Sequence, residues 1–268
     1  YGRDAQMYDS SFGWRFVHPK MKELFGTDAM GETAENLVSQ HTISRADQDN
    51  FSFRSQRKAT EAQAKGRFQK EIVAVEIPQK RGEAKIFDND EFIRPDTSLE
   101  VLAKLKPAFK KDGSVTAGNA SGLNDGAAAM LLASENAVKK FSLKPRAKIL
   151  SSAAIGVEPR IMGIGPVEAA KKALQRAGIN FNDLGLIELN EAFAAQSLAC
   201  VRAWGLSDND ERINVNGGAI SLGHPLGMSG ARILHSAAID LHLHNKKYAL
   251  VTLCIGVGQG YAVVIEKC

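Results

Sequence analysis

Apolar residues recur at helical spacing in two early stretches of the chain. GETAENLVSQ (31–40) sets Ala34, Leu37 and Val38 on one face, and SRADQDNFSFRSQRKATEAQAKG (44–66) starts with a Ser-x-x-Asp cap at Ser44 and ends at Gly66. Two helices joined by a short turn are expected. From 71 to 113 the pattern breaks into short β-like runs, EIVAVEI and AKIF, interrupted by PQKRG, RPDTS and KPAF, which suits an inserted or lid-like region. VTAGNASGLNDGAAAMLLAS (115–134) then reads as β-rich and leads into the helix-like ENAVKKFSL, with a boundary at Pro145. The remainder alternates: strand RAKILSSAA, helix PVEAAKKALQRAG with proline at its start and glycine after its end, strand LGLIELN, helix EAFAAQSLACVRAWG. A glycine-rich loop, the helix SGARILHSAAIDLHLH and two strands, YALVTLC and GYAVVIEK, close the chain around a glycine-rich turn. One layered α/β unit is therefore expected over 146–268.

An internal echo changes the picture of the first part. VTAGNASGLNDGAAAML (115–131) and VTLCIGVGQGYAVVI (251–265) both read as strand, glycine-rich loop, apolar strand. The echo makes 114–145 the tail of a first α/β half, with 1–113 as a loop domain inserted in it. The body of that half is not in the sequence, and the polar, loop-like opening at Tyr1 agrees. The expectation is a C-terminal piece of a longer protein, carrying only the last strands of its first half.

Composition narrows the function classes. With 44% hydrophobic residues, 24% charged residues and a net charge of +4, the chain is neither disordered nor built to wrap nucleic acid. A small anionic ligand accounts for the excess charge. Arg54, Arg57, Lys58, Lys65 and Arg67 lie on one predicted helix or just after it, and a solvated face is the commoner meaning of such a run. No apolar run reaches membrane-spanning length and the first twenty residues have no secretory apolar core, so a soluble, cytoplasmic protein with no membrane partner is expected. Three cysteines at 200, 254 and 268, without a CxxC pair, fit a reducing setting and suggest neither a disulfide framework nor a metal site.

Three places carry candidate chemistry, each at the end of a predicted strand or the start of the next helix, where α/β folds expose reactive groups. Asn190 ends LIEL; taken alone it reads as a helix N-cap. His224 lies in NGGAISLGHPLGMSG, where glycines let the backbone approach a ligand closely, although it could merely bridge loop carbonyls. Cys254 is followed by Gly256, whose N–H no Cβ obstructs; alone, Cys254 reads as a small buried hydrophobe. Together they form an acyl-transfer set: an imidazole to activate a thiol, a second thiol to move a proton, and amides to hold an oxyanion.

The motifs NEAFA (190–194), GHP (223–225) and CIG (254–256), in that order, resemble those of the thiolase family, as do DAMGETAEN, RPDTSLEVLAKLKPAF, VTAGNASGLNDGAA and RIMGIGP. The likeness runs through essentially the whole chain; Val215 in NVNGG is a departure from the family's NPNGG. It implies a thiolase-like layered α/β fold with an inserted loop domain, and ping-pong cleavage or formation of 3-oxoacyl-CoA with no tightly bound cofactor and coenzyme A as co-substrate. On this resemblance His224 is the base that activates a nucleophilic cysteine and shares an oxyanion site with a water held by Asn190. Cys254 is the acid/base cysteine, and the Gly256 amide serves a second oxyanion hole. Met30, Arg94, Phe109, Ala117, Ala120 and Ser121 match coenzyme A positions, and Met162 and Phe193 the acyl pocket. Met30 and Phe109 also read as plain core, Arg94 as an exposed loop arginine.

The nucleophile falls in no cysteine motif of this sequence, so the 268 residues alone are expected to be inactive. SSFGWRFVHPKMKELFG, RADQDNFSFRSQRKA and ALVTLCIGVGQG are most similar to 3-oxoadipyl-CoA thiolases, whose dicarboxylic acyl chain would want a cation such as Arg15 or His18. The family also implies a homo-oligomer, a dimer of dimers. The competing readings are a general 3-oxoacyl-CoA or acetoacetyl-CoA thiolase, and a non-catalytic acyl-CoA binder, which would need neither His224 nor Cys254 as a proton carrier.

Overall fold

The computed structural model describes Arg3, Met7 and residues 14–268. Its first helix, α1 (Pro19–Phe25), lies in a stretch that reads as loop; Pro19 opens it and the His18 ring caps it. α2 (Met30–His41) and α3 (Arg45–Ala64) fall where the apolar spacing puts them. Ser44 and Asp47 form the expected reciprocal cap of α3. The runs EIVAVEI and AKIF become an exposed antiparallel pair, β1 (Val75–Ile77) with β2 (Lys85–Phe87). α4 (Leu99–Ala103), capped by Ser98, was not legible because it is a single turn inside a stretch of breakers.

Residues 121–133 do not form the expected strands. Thr116 and Ala120 make isolated bridges to Pro107 and Phe193, and Leu131 and Leu132 are exposed. A strand exists only as one side of a hydrogen-bonded pair, and no strand among the described residues pairs with this stretch. α5 (Glu135–Lys140) follows, capped by Ser134.

The rest is a three-layer sandwich. β3 (Ala147–Gly156), α6 (Gly165–Ala177), β4 (Leu186–Leu189), α7 (Ala194–Ala203), α8 (Ala219–Leu222), α9 (Ser229–Leu243), β5 (Tyr248–Ile255) and β6 (Gln259–Lys267) appear in that order. The four strands form one sheet in the order β3-β6-β5-β4, with β4 parallel to β5 and the other pairs antiparallel. Side-chain alternation splits each strand between two cores. Ile187, Leu189, Leu250 and Val264 pack with Ala170 and Leu174 of α6, whereas Leu186, Ala249, Val251 and Ile265 pack with Ile233, Ala237 and Leu241 of α9. α6 ends on Gly178 in the left-handed conformation, as the sequence signals.

Two expectations are corrected by packing. The basic run of α3 is not wholly solvated. Arg67, just beyond it, is 6% exposed and forks onto Asp240 of α9 at 2.7 and 3.0 Å, while Lys58 turns in to the Ile213 carbonyl. Nor does Asn190 cap a helix. Its N–H continues the strand ladder to the Thr252 carbonyl at 3.0 Å, the chain turns back on itself at Ala192, and α7 starts only after Phe193.

Candidate active site

The loop Asn190–Phe193, between β4 and α7, is the hub of the site. Both parts of the set expected from the sequence lie against it. Asn190 Nδ2 is 3.3 Å from His224 Nε2. Two residues on, Ala192 packs with Cys254, Met162 and Phe193 in one small apolar cluster. The main-chain bond from Asn190 to Thr252 fixes β5, and with it Cys254, relative to the same loop.

His224 is held from several sides. Its N–H donates to the Gly122 carbonyl at 3.2 Å, and its Nδ1 lies 2.6 Å from the hydroxyl of Ser229 on α9. Gly223 has φ +86° and carries the Asn124 amide against its backbone where a Cβ would stand, so glycine is required there by conformation and by space. Burial, followed by the positive charge of Arg232, lowers the imidazole pKa from its ordinary value. It is a neutral base at neutral pH. The Oδ1 atoms of Asn190 and Asn124 are buried with no partner among the described residues, acceptors still open to a donor at the site.

Cys254 lies near the end of β5. Its burial in the apolar cluster pushes the thiol up to about 12. The resting group is therefore a protonated acid. Gly256 follows in the turn Gly256–Val257–Gly258, and no atom stands within 4 Å of where its Cβ would be. Packing does not require this glycine. Cys200 is sealed in α7 with its thiol donating to the Gly163 carbonyl and its pKa far raised by burial, and Cys268 is exposed at the last residue.

Of the positions that the resemblance matches to coenzyme A, Phe109, Ala120 and Ser121 lie against the hub loop. Ala120 bridges to Phe193, and the Ser121 N–H and hydroxyl both donate to the Ala192 carbonyl at 3.0 Å. Phe109 meets Phe193 edge-on, ring centres 5.9 Å apart, and lies over Gly31 so closely that no Cβ fits there. Met30, at the start of α2, and Ala117 are exposed. Arg94 is exposed too, stacked 5.8 Å from the Phe92 ring, which itself lies against Gly122 beside Ser121. Arg15 is exposed; neighbouring Trp14 donates to the Asp28 carbonyl, and His18 is engaged in capping α1.

Sequence reasoning missed Ser229, Asn124 and the role of Glu191. Glu191 is fully buried, accepting from Ser55 at 2.6 Å, Asn214 at 2.7 Å and the Ile220 N–H at 3.2 Å. It ties the hub to α3 and α8; burial raises its pKa against the pull of those bonds. Its only sequence signal was its place after Asn190. Among the described residues, no cluster of three or more His, Cys, Asp or Glu side chains could hold a metal ion, and no helix is long and apolar enough to cross a membrane.

Comparison with known proteins gives consistent matches over the whole chain. The family model "Thiolase, N-terminal domain" matches residues 5–136 and "Thiolase, C-terminal domain" residues 143–267. A beta-ketoadipyl-CoA thiolase of Acinetobacter baylyi is 55% identical over 267 residues, covering 100% of this chain and 67% of the relative. The 3-oxoadipyl-CoA/3-oxo-5,6-dehydrosuberyl-CoA thiolase of Escherichia coli is 52% identical with the same coverage. Among solved structures, Bacillus anthracis acetyl-CoA acetyltransferase matches at TM-score 0.89 and 42% identity, covering 100% of this chain and 66% of its own. Human mitochondrial 3-ketoacyl-CoA thiolase in complex with CoA matches at 0.81 and 44%, covering 89% and 59%. The chain thus spans about two thirds of the length of the relatives it matches.

Proposed function

Because this chain belongs to the thiolase family, we propose that it supplies the proton-transfer half of an acyltransferase site that cleaves 3-oxoacyl-CoA, with 3-oxoadipyl-CoA as the substrate. The observation that carries the reading is the hub loop, which has a neutral imidazole bonded at one end and a protonated thiol packed against the other.

The chemistry follows from those two states. His224, neutral, takes the proton of a nucleophilic cysteine, whose thiolate adds to the 3-oxo carbon. The Asn190 amide and the imidazole bear on the developing oxyanion, a kind of contact worth about 3 kcal/mol of barrier. When the C2–C3 bond breaks, its electron pair stays on C2 and takes the Cys254 proton, giving acetyl-CoA and an acyl-enzyme. The Cys254 thiolate left behind, conjugate base of an acid near 12, is then strong enough to deprotonate the incoming coenzyme A thiol. Taking that proton resets Cys254; the coenzyme A thiolate attacks the acyl-enzyme, and the nucleophilic cysteine leaves as a thiolate and takes its proton back from His224, releasing the acyl-CoA. Gly256 presents its N–H to the thioester oxygen, and Phe109, Ser121 and Arg94 form the rim along which coenzyme A lies.

No cysteine of these 268 residues is placed to carry the acyl group. Cys200 is sealed in a helix, Cys268 lies at the last residue and Cys254 is held as an acid. By themselves the 268 residues turn over no substrate. The names of the two relatives above support the dicarboxylic acyl chain, and Arg15 is the cation we assign to its carboxylate. Steady-state thiolysis by the intact protein tests this. Arg15→Ala raises the KM for 3-oxoadipyl-CoA at least about tenfold, the loss of one charge-assisted contact, and leaves that for acetoacetyl-CoA unchanged. Equal effects on both substrates would remove Arg15 and favour a general thiolase; no turnover of either would leave an acyl-CoA binder.

A further inference from the structure

Ser229 opens α9, is fully buried, and makes two side-chain contacts: to His224 Nδ1 at 2.6 Å and to the Pro225 carbonyl at 3.0 Å. A serine hydroxyl has one proton to give, and a carbonyl can only accept. If the Ser229 proton goes to Pro225, the ring nitrogen must donate to Ser229, so the imidazole carries its hydrogen on Nδ1. Nε2 is then a bare lone pair, and it faces the Asn190 Nδ2 group, which has hydrogens to donate. The opposite tautomer breaks the network at both ends. It sets an Nε2–H against the Asn190 N–H, and it draws the Ser229 proton away from Pro225.

We propose that Ser229 is a positioning residue for His224, a proton-ordered link from Pro225 that fixes the Nδ1–H tautomer and so leaves Nε2 as the nitrogen able to take up the proton of the reacting thiol. The proposal deepens the functional reading above and rests on His224 as the base of that site. His18 also uses Nδ1, accepting from the Lys20 N–H, but it is exposed; His224 is the histidine whose ring nitrogens both meet side chains inside the protein.

A second feature of α9 acts in the same direction. Arg232 lies one turn after Ser229, with Nε and Nη2 buried and without a hydrogen-bond partner among the described residues. The carboxyls interacting with it are Glu188 on β4 and Asp90 ahead of α4, and burial raises the pKa of both. Neither forms an ion pair with Arg232, so its charge bears on the ring and opposes imidazolium, while the direct ring partners Asn190 and Ser229 are neutral. Ser229 chooses which nitrogen is bare, and Arg232 helps keep it bare.

The test uses the intact protein labelled with 15N-histidine, the His224 signals being identified by their absence in His224→Gln. In the wild type the Nδ1 shift is that of a protonated nitrogen and Nε2 that of an unprotonated one. Ser229→Ala gives averaged shifts of mixed tautomers, lowers kcat for thiolysis about 10- to 100-fold, and changes KM by less than about twofold. Arg232→Gln moves the acidic limb of the kcat profile to higher pH, because the imidazole then protonates more readily. An Nε2–H tautomer in the wild type, or a Ser229→Ala protein with unchanged shifts and kcat, overturns the proposal. If the intact protein cleaves no 3-oxoacyl-CoA, the functional reading fails while the nitrogen shifts still decide the tautomer.

Discussion

Glu188 lies on β4, two residues before Asn190, with its carboxyl fully inside the protein. Burial is the largest influence on it, and Asp240, Glu71 and Glu191 add to that; Arg232 pulls the other way and does not prevail, so the carboxyl is pushed up to about 8 from 4.5. The folded protein therefore keeps this proton at neutral pH, whereas the unfolded chain gives it up above 4.5. Between those values folding must take up a proton, which costs about 1.36 kcal/mol for each pH unit. Nothing is lost below the lower value, the loss grows with rising pH, and it levels off above the upper one at about 5 kcal/mol. Glu188→Gln keeps the shape and hydrogen-bonding capacity of the protonated acid and has nothing to ionise. Urea unfolding of the two proteins, followed by the fluorescence of buried Trp204, should give stabilities within about 1 kcal/mol at pH 5 and a gap that widens in favour of the variant up to pH 9. A gap that does not change with pH, or a variant less stable at every pH, would show that Glu188 is ionised and paired, and the reasoning would be wrong.

Two further outcomes come from the backbone around the site. Val257, between Gly256 and Gly258, has φ +67°, a region that costs a β-branched residue roughly 1–2 kcal/mol. Val257→Gly, after its own entropy cost, should stabilise the protein by about 1 kcal/mol, visible as a rise in Tm of a few degrees; a fall in Tm would mean that the Val257 side chain holds the turn. Gly31→Ala drives a methyl into the Phe109 ring, so it should destabilise by about 1–3 kcal/mol and weaken coenzyme A binding through the Phe109–Phe193 contact; calorimetric titration with unchanged affinity would separate that aromatic pair from the binding rim.

Much of the architecture was legible because its signals are local. Ser44 with Asp47 starts α3, Pro166 and Gly178 bracket α6, and short apolar runs mark β4 to β6, since caps and apolar runs act over a few neighbouring residues. His224, Cys254 and Gly256 were likewise legible as candidates from their residue types and flanking glycines. What the chain order could not supply was anything that depends on a distant partner. The segment 121–133 has a strand-like composition but no pairing strand among the described residues. Arg67 belongs to a basic run but meets Asp240 across 173 positions, and Asn190 looks like a cap but remains in the ladder because Thr252 holds its N–H. The same division runs through the site. Residue type alone makes His224 a candidate base and Cys254 a candidate proton carrier, but burial and charge decide their protonation, and those arise only when β4, β5 and α9 enclose the hub loop.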